Sequence, residues 1–176
     1  MPEATGAQAE VVFVAEHEPE VMWDLITDVA RIGEWSPECV GGRWLDDAAP
    51  APGARFEARN DFGAGPTGPV TCVVTQARRP DVFEWVVLDP SESVASPGSI
   101  WRYELTPGGH AGQTTVRHRF THGPGRTGLS LAMDDDPASA TQILQDRLDM
   151  LREHMTITLA AMAASRPRAA GSDGAE

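Results

Sequence analysis

The sequence predicts an α+β fold: a curved antiparallel sheet of about seven strands wrapped around a long C-terminal helix, with two short helices after the first strand. Three observations predict it. One apolar strand-like run and a short amphipathic helix precede the segment DVARIGEWSPE (Asp28 to Glu38). About six strand-like runs separated by turn chemistry follow it, and a single long amphipathic helix closes the chain. Short connections favour antiparallel neighbours, and one helix laid in the hollow of a bent sheet tends to leave a cavity.

The first strand is read at Val11 to Ala15. Glu18-Pro19 then supplies an N-cap and a first helical position, where proline loses nothing by lacking an N–H. Val21, Met22, Leu25, Ile26 and Val29 recur at helical spacing and give that helix one apolar face. A second short helix, Ala30 to Glu34, should stop near Ser36, because Pro37 disfavours helical geometry in the residue before it. Strands are expected at Val40 to Leu45, Arg55 to Asn60, Val70 to Ala77, Val82 to Leu88, Ile100 to Leu105 and Thr114 to Thr121. Glycine, proline and aspartate mark every turn between them. Gly123 to Asp136 reads equally as a lid, a short helix or a mobile loop. Asp136-Pro137 then signals a helix start, with Asp134 and Asp135 at the positive end of the dipole. Leu144, Leu148, Leu151, Met155, Leu159 and Met162 form its apolar stripe, and Arg166-Pro167 ends it. One domain over residues 10–164 is expected, with a flexible N-terminus (1–9) and a disordered tail (165–176).

Composition narrows the function. Asp and Glu outnumber Lys and Arg by 26 to 14, a net charge of -12, which repels nucleic acid and anionic lipid. No apolar run approaches the length of a membrane span, so stable membrane insertion is not expected either. The N-terminal MPEATGAQAE has neither a basic start nor an apolar stretch, so a cytoplasmic protein is the expectation. Cys39 and Cys72 are too few for a disulfide framework and read as buried small hydrophobes. The five histidines lack HExxH or paired spacing, and the acidic run at 134–136 is accounted for by helix capping, so no metal is expected. Ser130 lacks the second glycine of a nucleophile elbow, and the glycine-rich stretches lack the lysine of a phosphate loop. No cofactor is expected, and oligomeric state is left open.

The segment PEVMWDLITDVARIGEWSPE (Pro19 to Glu38), the WRYEL strand (Trp101 to Leu105) and the closing helix carry a resemblance. Over residues 10–164 the chain resembles the START-like (SRPBCC) superfamily, particularly its bacterial polyketide cyclase/dehydrase and lipid transport branch. That resemblance implies a helix-grip fold with a pocket between the sheet and the C-terminal helix. It also implies a place for Trp35 at the cavity mouth, and it covers carriers as well as ring-forming cyclases and aromatases.

Period-two alternation proposes the pocket lining. Inward parity offers Phe56, Ala58 and Asn60, then Cys72 and Val74, then Phe83, Trp85 and Val87. The last two strands offer Trp101, Tyr103 and Leu105, then Val116, His118 and Phe120, with Arg102, Glu104, Arg117 and Arg119 outward. From the helix come Leu144, Leu148, Leu151 and Met155. A single bulge would reverse any of these strand assignments. Each tryptophan suits either a large apolar ligand or a core that needs filling. His118 has two readings: a group with a pKa near working pH that orients a ligand carbonyl or moves a proton, or a histidine hydrogen-bonded within the core or paired with a carboxylate on the last helix. Tyr103 and Asn60 are the other inward polar candidates, and no inward arginine is evident.

The expected function is therefore binding of a hydrophobic small molecule (a lipid, polyketide or aromatic metabolite) in the internal cavity. The alternative is a polyketide cyclase or aromatase catalysing aldol closure and water loss there, with His118, Tyr103 and Asn60 as its candidate catalytic groups. An interaction module is a third reading, but no exposed apolar strand or charge block points to one.

Overall fold

A computed structural model describes residues 3–47 and 49–169. Its strands are β1 (Gln8–Ala15), β2 (Cys39–Trp44), β3 (Arg55–Asn60), β4 (Val70–Arg78), β5 (Val82–Val87), β6 (Ser99–Pro107) and β7 (Thr114–His122). Its helices are α1 (Pro19–Thr27), α2 (Ile32–Trp35), α3 (Gly128–Asp135) and α4 (Ala140–Ala163), with a 3₁₀ turn at Val29–Arg31. The seven strands form one antiparallel sheet in the order β1-β7-β6-β5-β4-β3-β2, so only β1 makes a crossover. α4 packs along β1, and α1, α2 and α3 lie against α4. This is the helix-grip arrangement. No helix among the described residues is long and apolar enough to cross a membrane.

The strands form where alternation and turn chemistry place them. In β7, Thr114, Val116, His118, Phe120 and His122 are buried while the residues between them face outward. β3 has the bounds read from the sequence, and the other strands differ by one or a few residues at their ends. β1 differs most, starting at Gln8. Gln8-Ala9-Glu10 has no β-branched residue, but β7 continues opposite it as far as Thr121, and Glu10 meets Arg117 and Arg119 across the ladder. Residues 3–9, expected to be flexible, are thus tied to the fold: Ala4 and Ala9 are buried and Gly6 N–H donates to His122 O. β4 carries a bulge between Val74 and Gln76, which keeps Ala77 opposite the buried Phe83 although the parity has slipped by one.

Two glycines let the first helical segment close one end of the sheet. A Cβ on Gly33 would stand 2.4 Å from Val40 O, and one on Gly42 would stand 2.6 Å from Val29 O. Larger residues at either position would push the 3₁₀ turn and α2 off β2.

The C-terminal third corrects two expectations. Gly123 to Asp136, left open between three readings, contains α3, whose start is fixed by a capping box between Thr127 and Ser130. Asp136-Pro137 does not begin α4. Asp136 Oδ1 accepts from Ser139 N–H at 3.2 Å, residues 137–139 form a turn, and the helix starts at Ala140. The Asp-Pro pair is also the signature of a tight turn, and the chain needs one here to reverse from α3 into α4. Part of the expected tail is also docked: Ser165 Oγ accepts from Trp35 Nε1 at 2.9 Å, and Arg168 pairs with Asp28 at 3.2 Å. Residues 170–176 lie outside the described residues.

Candidate functional site

A cavity of about 990 Å³ lies between the concave face of the sheet and α4. Inward positions of β3 to β7 build its wall, the 3₁₀ turn and the start of β2 close one side, and α3 and α4 close the other. At its lip stand Phe62, which is 60% exposed, and Met150, with the Arg147 guanidinium 5.5 Å from the Phe62 ring centroid.

Of the residues singled out from sequence, Phe56, Asn60, Cys72, Phe83, Trp85 and Trp101 line this cavity. So do Tyr103, His118, Phe120, Leu151 and Met155. Trp35, Val74, Leu144 and Leu148 stand outside its wall. Trp35 is buried in the core beneath the Arg31 guanidinium and ties α2 to the residues after α4, so it is not at the mouth. Val74 is packed within the same core. Leu148 packs with Ala9 and Phe120 towards β1, and Leu144 packs beside it. The helix has a wide apolar stripe, and its β1-facing side is core while only one flank reaches the cavity.

The aromatic wall is continuous. Trp85 and Trp101, paired across β5 and β6, lie nearly parallel, 6° apart with centroids at 6.2 Å. Phe83 and Phe56 extend this surface on one side, and Phe120 meets Trp101 edge-on at 5.0 Å. Tyr103 and His118, paired across β6 and β7, stack at 3.8 Å and 14°. Planar side chains packed this way offer a flat apolar surface with little freedom to lose.

Two polar features interrupt that surface. The first is His118, whose two ring nitrogens are buried without a hydrogen-bond partner among the described residues. Burial holds its pKa down at about 3, so the imidazole is neutral at physiological pH, one nitrogen a donor and the other an acceptor. The expected pKa near working pH is thus corrected by desolvation, and the core hydrogen bond of the other reading is not formed. Burial likewise pushes the Tyr103 phenol and the Cys72 thiol up, keeping both protonated.

The second feature was missed from sequence. Glu38, at the end of EWSPE, accepts from Arg147 through both oxygens, at 2.5 and 2.7 Å, and from His154 Nδ1 at 3.1 Å. All three residues line the cavity. Burial works to raise the Glu38 carboxyl, but the hydrogen bonds and charge of Arg147, with His154, outweigh it and hold the group below the usual carboxylate range. An inward arginine is therefore present, supplied by the helix and not by a strand. The available signal was the helical spacing of Arg147, Leu151, His154 and Thr158, a polar flank of α4 that meets the leucine stripe at Leu151. Nearer α3, His122 Nδ1 donates to Gly123 O, which leaves Nε2 to accept from the Thr127 hydroxyl at 2.7 Å.

A seven-stranded grip around one helix, with an aromatic cavity between them, defines a ligand-pocket protein of the START-like kind. The family sequence model for polyketide cyclase / dehydrase and lipid transport matches residues 7–156, and the chain belongs to that family. Family membership supports a ligand-binding or cyclase role. No curated protein sequence matches the chain. Among solved structures, a polyketide cyclase-like protein of Corynebacterium glutamicum is similar, with 23% identity, 93% of this chain and 91% of that one covered, and a TM-score of 0.64. The di-domain ARO/CYC StfQ from the steffimycin biosynthetic pathway matches with 10% identity over 92% of this chain and 50% of its own, at a TM-score of 0.66. A protein of Nitrosomonas europaea matches with 13% identity, 89% and 92% covered, and a TM-score of 0.61. At these identities the likeness is one of fold.

Proposed function

We propose that the chain binds a flat, hydrophobic small molecule, of the polyketide or aromatic class, in the cavity between sheet and α4. The observation that carries this reading is the cavity of about 990 Å³ faced by the parallel Trp85 and Trp101 rings. That volume is at the upper end of the usual range for ligand sites, and mostly apolar walls with a few polar groups are what such sites have. Burying an apolar ligand gains roughly 25 cal/mol per Å² before ordering costs are subtracted. Contacts would come from the aromatic wall and from Leu151 and Met155, with Arg147 and His154 as the polar groups of the lining.

A second reading, a cyclase or aromatase acting on a polyketone in the same cavity, is favoured by the Glu38–Arg147–His154 cluster on the wall. The likeness to the ARO/CYC StfQ is compatible with it. Positioning a flexible chain for ring closure can supply much of the rate of such a reaction.

Native mass spectrometry of protein purified from its own host tests the binding reading by the mass of a retained small molecule. Titration with a hydroxylated anthraquinone should quench tryptophan fluorescence, and Trp101→Ala should weaken that quenching. Unchanged fluorescence across a panel of planar hydrophobic compounds would count against the reading.

A further inference from the structure

Among the described residues, His118 is the site of the buried unpartnered side-chain nitrogens, whereas His154 presents a nitrogen that is neither sealed nor bonded. Nδ1 of His154 faces Glu38 Oε2 at 3.1 Å, and a carboxylate only accepts, so Nδ1 carries the proton. The tautomer is thereby set, and the lone pair of Nε2 is left free on a side chain that lines the cavity. Glu38 is held in turn by the bidentate Arg147, which fixes its orientation and balances its charge. A carboxylate that holds one imidazole nitrogen so that the other can take a proton is the orienting half of a catalytic triad. His118 lacks that arrangement: no group orients it, and its nitrogens are covered.

We propose that His154 is a general base of this cavity, with Glu38 as its positioning residue and Arg147 as the clamp on Glu38. Its target is an acidic C–H or O–H of a bound planar ketone or phenol. This rests on the second, cyclase reading above and deepens it. For a C–H beside a carbonyl, Nε2 takes the proton and the C–H electron pair moves into an enolate. The enolate carbon then attacks a second carbonyl carbon of the same molecule, and the resulting alkoxide takes the proton back from Nε2. Atoms and electrons balance with no further reactant, so the step is an isomerising ring closure.

The test uses the intact chain and 5-nitrobenzisoxazole, a planar uncharged probe. Removal of its C–H proton breaks the ring N–O bond and yields a coloured nitrile-phenolate. Tryptophan quenching by the probe reports binding and colour reports proton abstraction. The expected result is quenching together with turnover above that of free imidazole at the same concentration. His154→Gln should lower kcat by about tenfold or more while leaving quenching intact. Glu38→Gln should lower kcat with KM unchanged, a split that a purely structural role would not produce. Unaltered turnover in folded His154→Gln, or quenching by the wild type without turnover, overturns the base and leaves the binding reading standing. Neither quenching nor turnover overturns both. The wild type gives a readout that needs no variant to fold: long-range ¹H–¹⁵N correlation should show His154 protonated at Nδ1 and bare at Nε2, and the reverse tautomer overturns the proposal.

Discussion

The two faces of strands β5 to β7 carry polar side chains at alternate positions and treat them in opposite ways. On the convex face every charge named has a partner: Arg102 bonds Glu84 at 2.8 Å and Glu104 at 2.6 Å, and Glu10 receives Arg117 at 3.0 Å and Arg119 at 2.7 Å. On the concave face His118, one residue from Arg117 and one from Arg119, has no hydrogen-bond partner among the described residues. Partners outside contribute little, because water would serve the same groups nearly as well. The missing partner inside is costly, because a buried donor or acceptor left unmade loses about 1–3 kcal/mol. A fold that pairs its inexpensive charges and leaves its expensive imidazole without a hydrogen bond holds that ring by packing alone, stacked on Tyr103 at 3.8 Å.

Acid is the strongest way to expose that difference. Burial lowers the folded-state pKa of His118 from 6.5 to about 3, so below pH 6.5 the unfolded chain binds a proton that the native state refuses. Stability contributed by the neutral imidazole is complete above pH 6.5 and is lost as pH falls towards 3, worth roughly 4 kcal/mol over the whole interval. Glu38 has its folded pKa depressed, so its contribution is present above about 4.3 and disappears only below that value. Between pH 6.5 and 5 the slope therefore belongs to His118, with a smaller part from His122, which burial also lowers. Denaturant melts across this range should show the loss in the wild type. His118→Leu should remove most of the slope and raise stability near neutral pH by about 1–3 kcal/mol. An unchanged slope in the leucine variant would mean that His118 finds a partner in solution.

Next in size is the concave-side ion pair. Glu38→Ala leaves the Arg147 guanidinium, 23% exposed, without its counter-charge and removes the partner of His154. Breaking a fully buried pair costs 3–5 kcal/mol; for this half-buried one the expectation is about 2–3 kcal/mol, read from the denaturation midpoint. A loss below about 1 kcal/mol would place the cluster with the surface pairs and weaken the case for a rigid polar corner in the cavity.

The fold was legible because each strand repeats one simple rule. From Thr114 to His122 every second residue is buried, and Val116 and Phe120 alternating with Arg117 and Arg119 announce it. The aromatic wall followed from the same rule. Sequence reading failed where two physical rules compete for one residue. Asp136-Pro137 fits a helix start and a tight turn equally well, and only the presence of α3 just before it decides. On α4 the leucine stripe hid a neighbouring flank, so Leu144 and Leu148 were assigned to the cavity while Arg147 and His154 were not. Glu38 lies in the segment that carries the family resemblance, but its role depends on residues 109 and 116 positions away in the chain, which no local pattern reveals. Charge pairs across a fold leave no periodicity behind them.

The smallest expected effect sharpens the contrast from the other side. Arg119→Ala removes one of two arginines that share Glu10, on a face where Arg119 and Glu10 are each about a third exposed. Arg117 remains to hold the carboxylate, so the loss should stay below about 1 kcal/mol and shrink further in high salt. What survives high salt reports the arginine stem packed on the sheet, not its charge. Melts of Arg119→Ala and Glu38→Ala at two salt concentrations separate the faces: the outer variant should respond to salt and the inner one hardly at all, because solvent ions do not reach a carboxylate only 13% exposed. If Arg119→Ala proved the more damaging of the two, the convex face and not the cavity wall would be where this fold concentrates its polar energy, and the Glu38–Arg147–His154 cluster would lose its standing as a rigid corner of the cavity.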